Sequence, residues 1–252
     1  MRKNSIDQDI LYEDNHLIIL NKRPSDIVQG DKTGDTPLSD ILKIYIKDKF
    51  NKPGEVFLGV VHRLDRPVSG VLVFARTSKA LSRLNIMLRD GEMHKTYWAV
   101  VKNKPTETEG HLIQYLSRNE EKNKSFVHNH AVAGSQKAEL TYRVIGKSDV
   151  YYLLEVILMT GRHHQIRAQL AAMGCPVKGD LKYGYPRSNP GGFIHLHARQ
   201  IEFTHPVKKE LLKVTADPPD DKLWNYFCQA AGNSELTPAK PQQNREANTP
   251  RQ

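Results

Sequence analysis

A chain of 252 residues with 38% hydrophobic and 26% charged side chains can bury the core of one enlarged domain while keeping a polar surface, which predicts a globular, soluble protein. No run of about 18 apolar residues is present to span a bilayer; the acidic start (Asp7, Asp9, Glu13, Asp14) lacks a signal-peptide layout, and Cys175 and Cys228 are too few for a disulfide framework or a structural zinc site, so the expected compartment is the cytoplasm. Lysine and arginine number 37 against 28 acids, and the resulting +9 attracts polyanions such as nucleic acid or anionic lipid without choosing between them.

Residues 10–20 alternate apolar and polar before Leu17, Ile18, Ile19 and Leu20, a pattern that predicts a short strand pair, broken by Asn21 to Pro24. Thr36 followed by Pro37 opens a helix in which Leu38, Ile41, Leu42, Tyr45 and Ile46 recur at helical spacing through about Lys49. The apolar runs at 56–61 and 70–75 read as strands, so the charged segment His62 to Arg66 between them is a connecting loop, where chemistry is usually held. Thr77 or Ser78 caps a second helix with Leu81, Leu84, Met87 and Leu88 as its buried stripe, and Gly91 ends it. Strands are expected at 95–102, 138–145 and 150–159, with a long, basic, mobile insertion at 117–136. Residues 165–173 predict a short helix stopped by Gly174, and 193–203 a late strand. From Asn233 onward the chain is Pro, Gln, Asn, Ala and charge, so the expected domain is 1–232 with a disordered polar tail at 233–252.

The eleven histidines raise a metal-enzyme alternative, with His62, His163, His164, His195 and His197 as candidate ligands. His163 and His164 are adjacent and on a helix would point about 100° apart, no His-Glu-x-x-His pattern exists, and the acids to complete a site are not evident. Pro190-Gly191-Gly192 belongs to no phosphate-cradling motif.

Four stretches occur in a telling order: His62-Arg63-Leu64-Asp65 leading to Ser69-Gly70; Lys95-Thr96-Tyr97; Thr160-Gly161-Arg162-His163-His164-Gln165-Ile166-Arg167; and Lys178-Gly179-Asp180 with Tyr183-Gly184. Together with Tyr12-Glu13-Asp14, Asn21-Lys22, Leu196-His197-Ala198 and His205-Pro206, they resemble the RluA family of RNA pseudouridine synthases over residues 10–207. The resemblance implies an α/β (α+β) fold with a central mixed, mainly antiparallel sheet flanked by helices and crossed by a basic RNA-binding cleft. It also implies an isomerase that cleaves the N1–C1′ bond of a uridine, turns the detached uracil and rejoins it through C5, with no cofactor or metal. The expected partner is a structured RNA, ribosomal or transfer, and the expected state is a monomer.

What the resemblance implies for single residues is that Asp65 is the catalytic carboxylate, either as nucleophile or as base on the ribose, each needing an unprotonated, positioned oxygen. Taken alone, an aspartate between Arg63 and Arg66 is a surface salt bridge. Arg167 matches the family's basic partner of that carboxylate, with Arg162 as a second candidate; a helix-surface cation is the plain alternative, but one arginine among Ala168, Leu170 and Ala171 favours a buried or half-buried pair. Tyr97 matches the family tyrosine, able to stack on a base; by propensity it is a strand residue, with Trp98 on the opposite face. Arg63 matches the position whose planar guanidinium takes the space of an extruded base, and His62, Arg162 and Gln165 join it as RNA-binding residues. The chain departs from the family at Pro67-Val68, where Asp-Thr is common, at His163, where threonine is frequent, and at Ser25-Asp26, where a glycine is usual. No S4-like RNA-binding domain precedes the first matching segment, so recognition is expected to rest on the catalytic body. The rival reading is a non-catalytic RNA-binding protein on the same scaffold.

Overall fold

The computed structural model describes residues 6–30 and 34–232, so the tail expected to be disordered lies outside the described residues. Its elements in chain order are β1 (Ile10–Glu13), β2 (Leu17–Lys22), α1 (Leu38–Lys49), β3 (Gly59–Val60), β4 (Ser69–Ala75), α2 (Ser78–Arg89) and β5 (His94–Val101). Then come β6 (Glu109–Asn119), β7 (Lys124–His128), β8 (Gln136–Lys147), β9 (Tyr152–Leu158), α3 (Gln165–Ala172), β10 (Leu196–Thr204), β11 (Leu211–Thr215) and α4 (Lys222–Gly232). Among the described residues the strands form one eleven-stranded sheet in the order β1-β2-β4-β10-β5-β9-β8-β6-β7, with β3 added to β4 and β11 to β10. Every pairing is antiparallel except β4 with β10, which makes the sheet mixed as expected.

Period-two alternation gives the sheet two buried faces. Ile18 and Leu20 of β2, Leu72 and Phe74 of β4, and Tyr97, Ala99 and Val101 of β5 form one core with Leu38, Leu42 and Ile46 of α1 and Ile166 and Leu170 of α3. Leu17, Ile19, Val71, Val73 and Ala75 face the other way onto Ala80, Leu84 and Met87 of α2, which Thr77 caps by accepting the Ala80 N–H. Trp98 and Val100 also face away from Tyr97, onto Trp224 and Phe227 of α4.

The parallel β4–β10 contact is confined to His197–Ser69 and Ala198–Gly70, and it is close. Gly70 has φ +116, and a Cβ there would collide with the Ala198 backbone, so a glycine is required on both counts.

Three sequence expectations are corrected. Residues 117–136 are not a mobile insertion: the segment holds the end of β6, all of β7 and the first residue of β8, with Asn123 in the turn at φ 44. The strands escaped notice because β6 and β7 bury few side chains, Leu116 and Ser125 among them, so no alternation of hydropathy marks them. No element was expected after 203, yet β11 and α4 follow; the pair Trp224 and Phe227 is too short a signal until the groove they fill is known. The run at 56–61 yields only the two-residue β3.

Candidate active site

Asp65 sits on the loop between β3 and β4, and the loop is tied down from both sides. Lys22, fully buried at the end of β2, donates from its ammonium to the carbonyls of Arg23 (3.0 Å), Arg66 (3.2 Å) and Val68 (2.7 Å). The Ser25 N–H donates to the Arg66 carbonyl and the Ile194 N–H to that of Pro67, while Leu64 and Val68 pin the loop into the core. The Asp65 side chain keeps 28% of its exposure and opens onto a cleft of about 910 Å³.

Arg167, on the first turn of α3, reaches this carboxylate from the opposite wall. Its Nη1 donates to Asp65 Oδ2 at 2.8 Å, while Nε and Nη2 fork onto Asp180 Oδ2 and Oδ1 at 2.6 and 2.9 Å. Arg167 is 6% exposed and Asp180 only 1%, so the bidentate pair is a buried, charge-assisted one. Burial opposes the guanidinium charge, but the hydrogen bonds and charge of Asp180, then of Asp65, outweigh it and raise the pKa. Asp180 thus aims the arginine, and the arginine fixes one oxygen of Asp65. Oδ1 of Asp65 has no hydrogen-bond partner among the described residues.

His164 adds a second contact to the same oxygen, with Nε2 3.4 Å from Asp65 Oδ2. It precedes α3 in the left-handed region (φ 53) and stacks on His163 with ring centroids 3.8 Å apart. Burial pushes its pKa down to about 3, with Arg167 adding to the effect and Asp65 opposing it. The neutral ring is oriented from behind: the Ser125 N–H donates to the Tyr183 hydroxyl (2.8 Å), whose own proton is free for His164 Nδ1 at 3.0 Å. That leaves the ring proton on Nε2, toward Asp65.

Tyr97 projects from β5 into the same cleft, and its hydroxyl stays protonated because burial, followed by the Asp65 charge, raises its pKa. Arg63 and Arg162 are exposed on the cleft rim, Arg63 without a protein partner among the described residues and Arg162 bonded through Nε to the Lys137 carbonyl at 2.9 Å. His62 lines the cleft half-buried, and its Nε2 accepts the Val73 N–H at 3.3 Å; burial, reinforced by the Lys95 charge, takes its pKa down to about 3. Gln165 is placed differently from its neighbours. It is buried, its amide oxygen accepts from the Thr160 hydroxyl and the Arg162 N–H, and its amide nitrogen donates to the Glu139 carbonyl, so it braces the 160–164 loop instead of offering its polar atoms to the cleft.

Sequence reasoning gave no role to Asp180 or Tyr183 and weighed His164 only as a metal ligand, although all three stood inside quoted motifs. The signal was the motif Lys178-Gly179-Asp180 with Tyr183-Gly184, far from Asp65 in sequence. His195 and His197, candidate ligands in the metal alternative, are spent on structure: His195 lies between Asn189 Nδ2 and Asp221 Oδ1, and His197 between the Ser69 hydroxyl and the Ala216 carbonyl.

These buried histidines make a pH prediction. Burial holds His195 and His197 at about 4 and His164 at about 3, so in the folded protein they stay neutral while the unfolded chain takes up protons below the ordinary value of 6.5. Their combined effect is absent above pH 6.5 and destabilises progressively as pH falls toward the folded values, by at most about 1.4 kcal/mol per pH unit for each ring. Thermal unfolding followed from about pH 7.5 to 4.5 checks this; a midpoint that rises on acidification contradicts it.

Three comparisons place the chain. The family described as RNA pseudouridylate synthase matches residues 16–172. A Synechocystis protein described as an uncharacterized RNA pseudouridine synthase is 32% identical over 232 residues, covering 89% of this chain and 70% of its own length. Ribosomal large subunit pseudouridine synthase D of Zymomonas mobilis is 31% identical, over 84% and 70% respectively. The structure of human RNA pseudouridylate synthase domain containing 4 superposes with a TM-score of 0.75 at 23% identity, covering 90% of this chain and 94% of that one, which supports the fold. Matched over most of its length by sequence, the chain belongs to the RluA-type family of RNA pseudouridine synthases, isomerases that convert uridine in RNA to pseudouridine.

Proposed function

We propose that this chain isomerises specific uridines in structured RNA with Asp65 as its catalytic carboxylate. The observation that carries the assignment is the Arg167 fork, which anchors on buried Asp180 and holds one oxygen of a cleft carboxylate while the other oxygen has no partner among the described residues. A preorganised carboxylate of this kind can attack C1′ or take a ribose proton without reorganising at the moment of reaction. The N1–C1′ bond then breaks, the uracil turns, the C5–C1′ bond forms, and C5 loses the proton that N1 gains. The sequence of steps is redox-neutral, so the proposal includes no cofactor or metal. Tyr97 stacks on the base in the cleft, and Arg63, exposed on the rim, fills the space the extruded base vacates. Arg162 and His62 contact the RNA from the rim, and Gln165 serves binding through the loop it braces.

The substrate in this reading is ribosomal or transfer RNA. The names of the Zymomonas mobilis relative and of a Rickettsia typhi relative, ribosomal large subunit pseudouridine synthase C, favour the large-subunit ribosomal arm. The proposed setting is the cytoplasm, with one chain acting as a monomer and residues 1–232 forming the catalytic domain. Tritium release from C5-labelled uridine is expected with ribosomal RNA transcripts, and pseudouridine mapping in cells lacking the protein should lose specific sites there. Binding of RNA with no tritium release from ribosomal or transfer RNA would instead support a binding protein on the same scaffold.

A further inference from the structure

Most basic side chains withdrawn from solvent in this fold have an evident partner. Lys22 gives its ammonium to three carbonyls, Arg76 pairs with Glu13, Arg167 with two carboxylates, and Lys178 donates to the Asn189 amide oxygen. Lys95 does not. It lies half-buried on β5 and lines the cleft two residues before Tyr97, and its ammonium makes no hydrogen bond or ion pair among the described residues. Its ammonium stands against Gly161, 3.5 Å from where a Cβ on that glycine would lie, and close enough to His62 to help suppress that ring's charge. Burial lowers the Lys95 pKa, and no acid offsets the effect.

An ammonium stripped of part of its water with no counter-charge is an unfavourable arrangement, and RNA brings the missing charge at every phosphate. The position selects which part of the RNA arrives there. Alternation sends Lys95 to the same side of β5 as Tyr97, and a rise of about 3.4 Å per residue sets the two roughly 7 Å apart. With the target uridine at Asp65 and Tyr97, Lys95 lines the same cleft displaced by the scale of one nucleotide. We propose that Lys95 anchors a backbone phosphate next to the target uridine. The inference deepens, and rests on, the reading of Asp65 as the catalytic carboxylate.

The test uses the full chain and a uridine-containing stem-loop from large-subunit ribosomal RNA, with a neutral methylphosphonate placed at one loop position at a time. Lys95→Gln is expected to weaken binding on the order of ten- to a hundredfold and to reduce the slope of log affinity against log salt by about 0.7. The single-turnover rate at saturating RNA stays within about threefold, because ground-state and transition-state binding fall together. In the wild-type protein one methylphosphonate position costs the same factor as Lys95→Gln, and in the variant that position costs nothing more. Lys95→Arg, which keeps the charge, restores most of the binding and separates lost anchoring from misfolding. Equal methylphosphonate penalties in wild type and Lys95→Gln overturn the inference. So does a lost rate at saturation with unchanged affinity, which would put the Lys95 charge on the detaching uracil. Absence of tritium release in the wild type would defeat the catalytic reading alone, since the binding cycle still reports whether Lys95 meets a phosphate.

Discussion

Replacing Asp65 with asparagine is expected to lower single-turnover tritium release by at least about 1,000-fold while leaving RNA affinity nearly unchanged. The amide keeps the volume of the side chain and can still accept from Arg167 Nη1, so the loop held by Lys22, Ser25 and Ile194 stays in place. What it lacks is a charged oxygen able to attack carbon or take a proton. The stability cost is small, because a pair with one partner 28% exposed is screened and its other half remains bound to Asp180. Filter binding and tritium release measured on the same preparation separate the two quantities. Residual activity within about tenfold of wild type would remove Asp65 from the chemistry.

The second large effect is on stability. Arg167→Met leaves the carboxylate of Asp180, 1% exposed, without its two guanidinium hydrogen bonds, and breaking a buried pair from one side costs about 3–5 kcal/mol. Adding Asp180→Asn removes the stranded charge and should recover most of that loss in a denaturant titration. The double variant folds and stays inactive, because the Nη1 contact that orients Asp65 is gone in either background. Arg167→Lys is expected to fail as well, since a point charge cannot reproduce a fork spread over two carboxylates. A destabilisation below about 1 kcal/mol for Arg167→Met would show that Asp180 finds compensation elsewhere.

How much of this was visible beforehand differs by element. α1 and α2 were legible because a buried stripe at helical spacing begins at a clear start, Pro37 in one case and the Thr77 cap in the other. β2 and β4 were legible as apolar runs because both their faces are covered. The hairpin of β6 and β7 was not, since strands that bury so little carry no hydropathy period and are held by their ladder of backbone bonds, which any sequence can supply. Within the site, Asp65, Tyr97 and Arg167 could be named from motif order. Gln165 was grouped with the RNA-binding residues although its amide is consumed by Thr160, Arg162 and Glu139. His164 and Asp180 were present in the motifs but without a role beside Asp65, because a role there is a distance, not a residue type.

The Asp65 loop shows where the division lies. By itself the sequence determined the family, the order of the motifs, the net charge of +9 that suits a polyanionic substrate, and the helices and strands whose periodicity reflects a local one- or two-sided burial. Only the tertiary structure decided that Arg167 divides its guanidinium between Asp180 and Asp65, that Tyr183 and Ser125 orient His164, that Lys22 ties the loop down, and that Lys95 faces the cleft without a counter-ion among the described residues. The physical reason is range. Periodicity and turn chemistry act over a few neighbouring residues, whereas the contact between Asp65 and Arg167 spans 102 positions and exists only once β3, β5 and α3 have closed around one cleft.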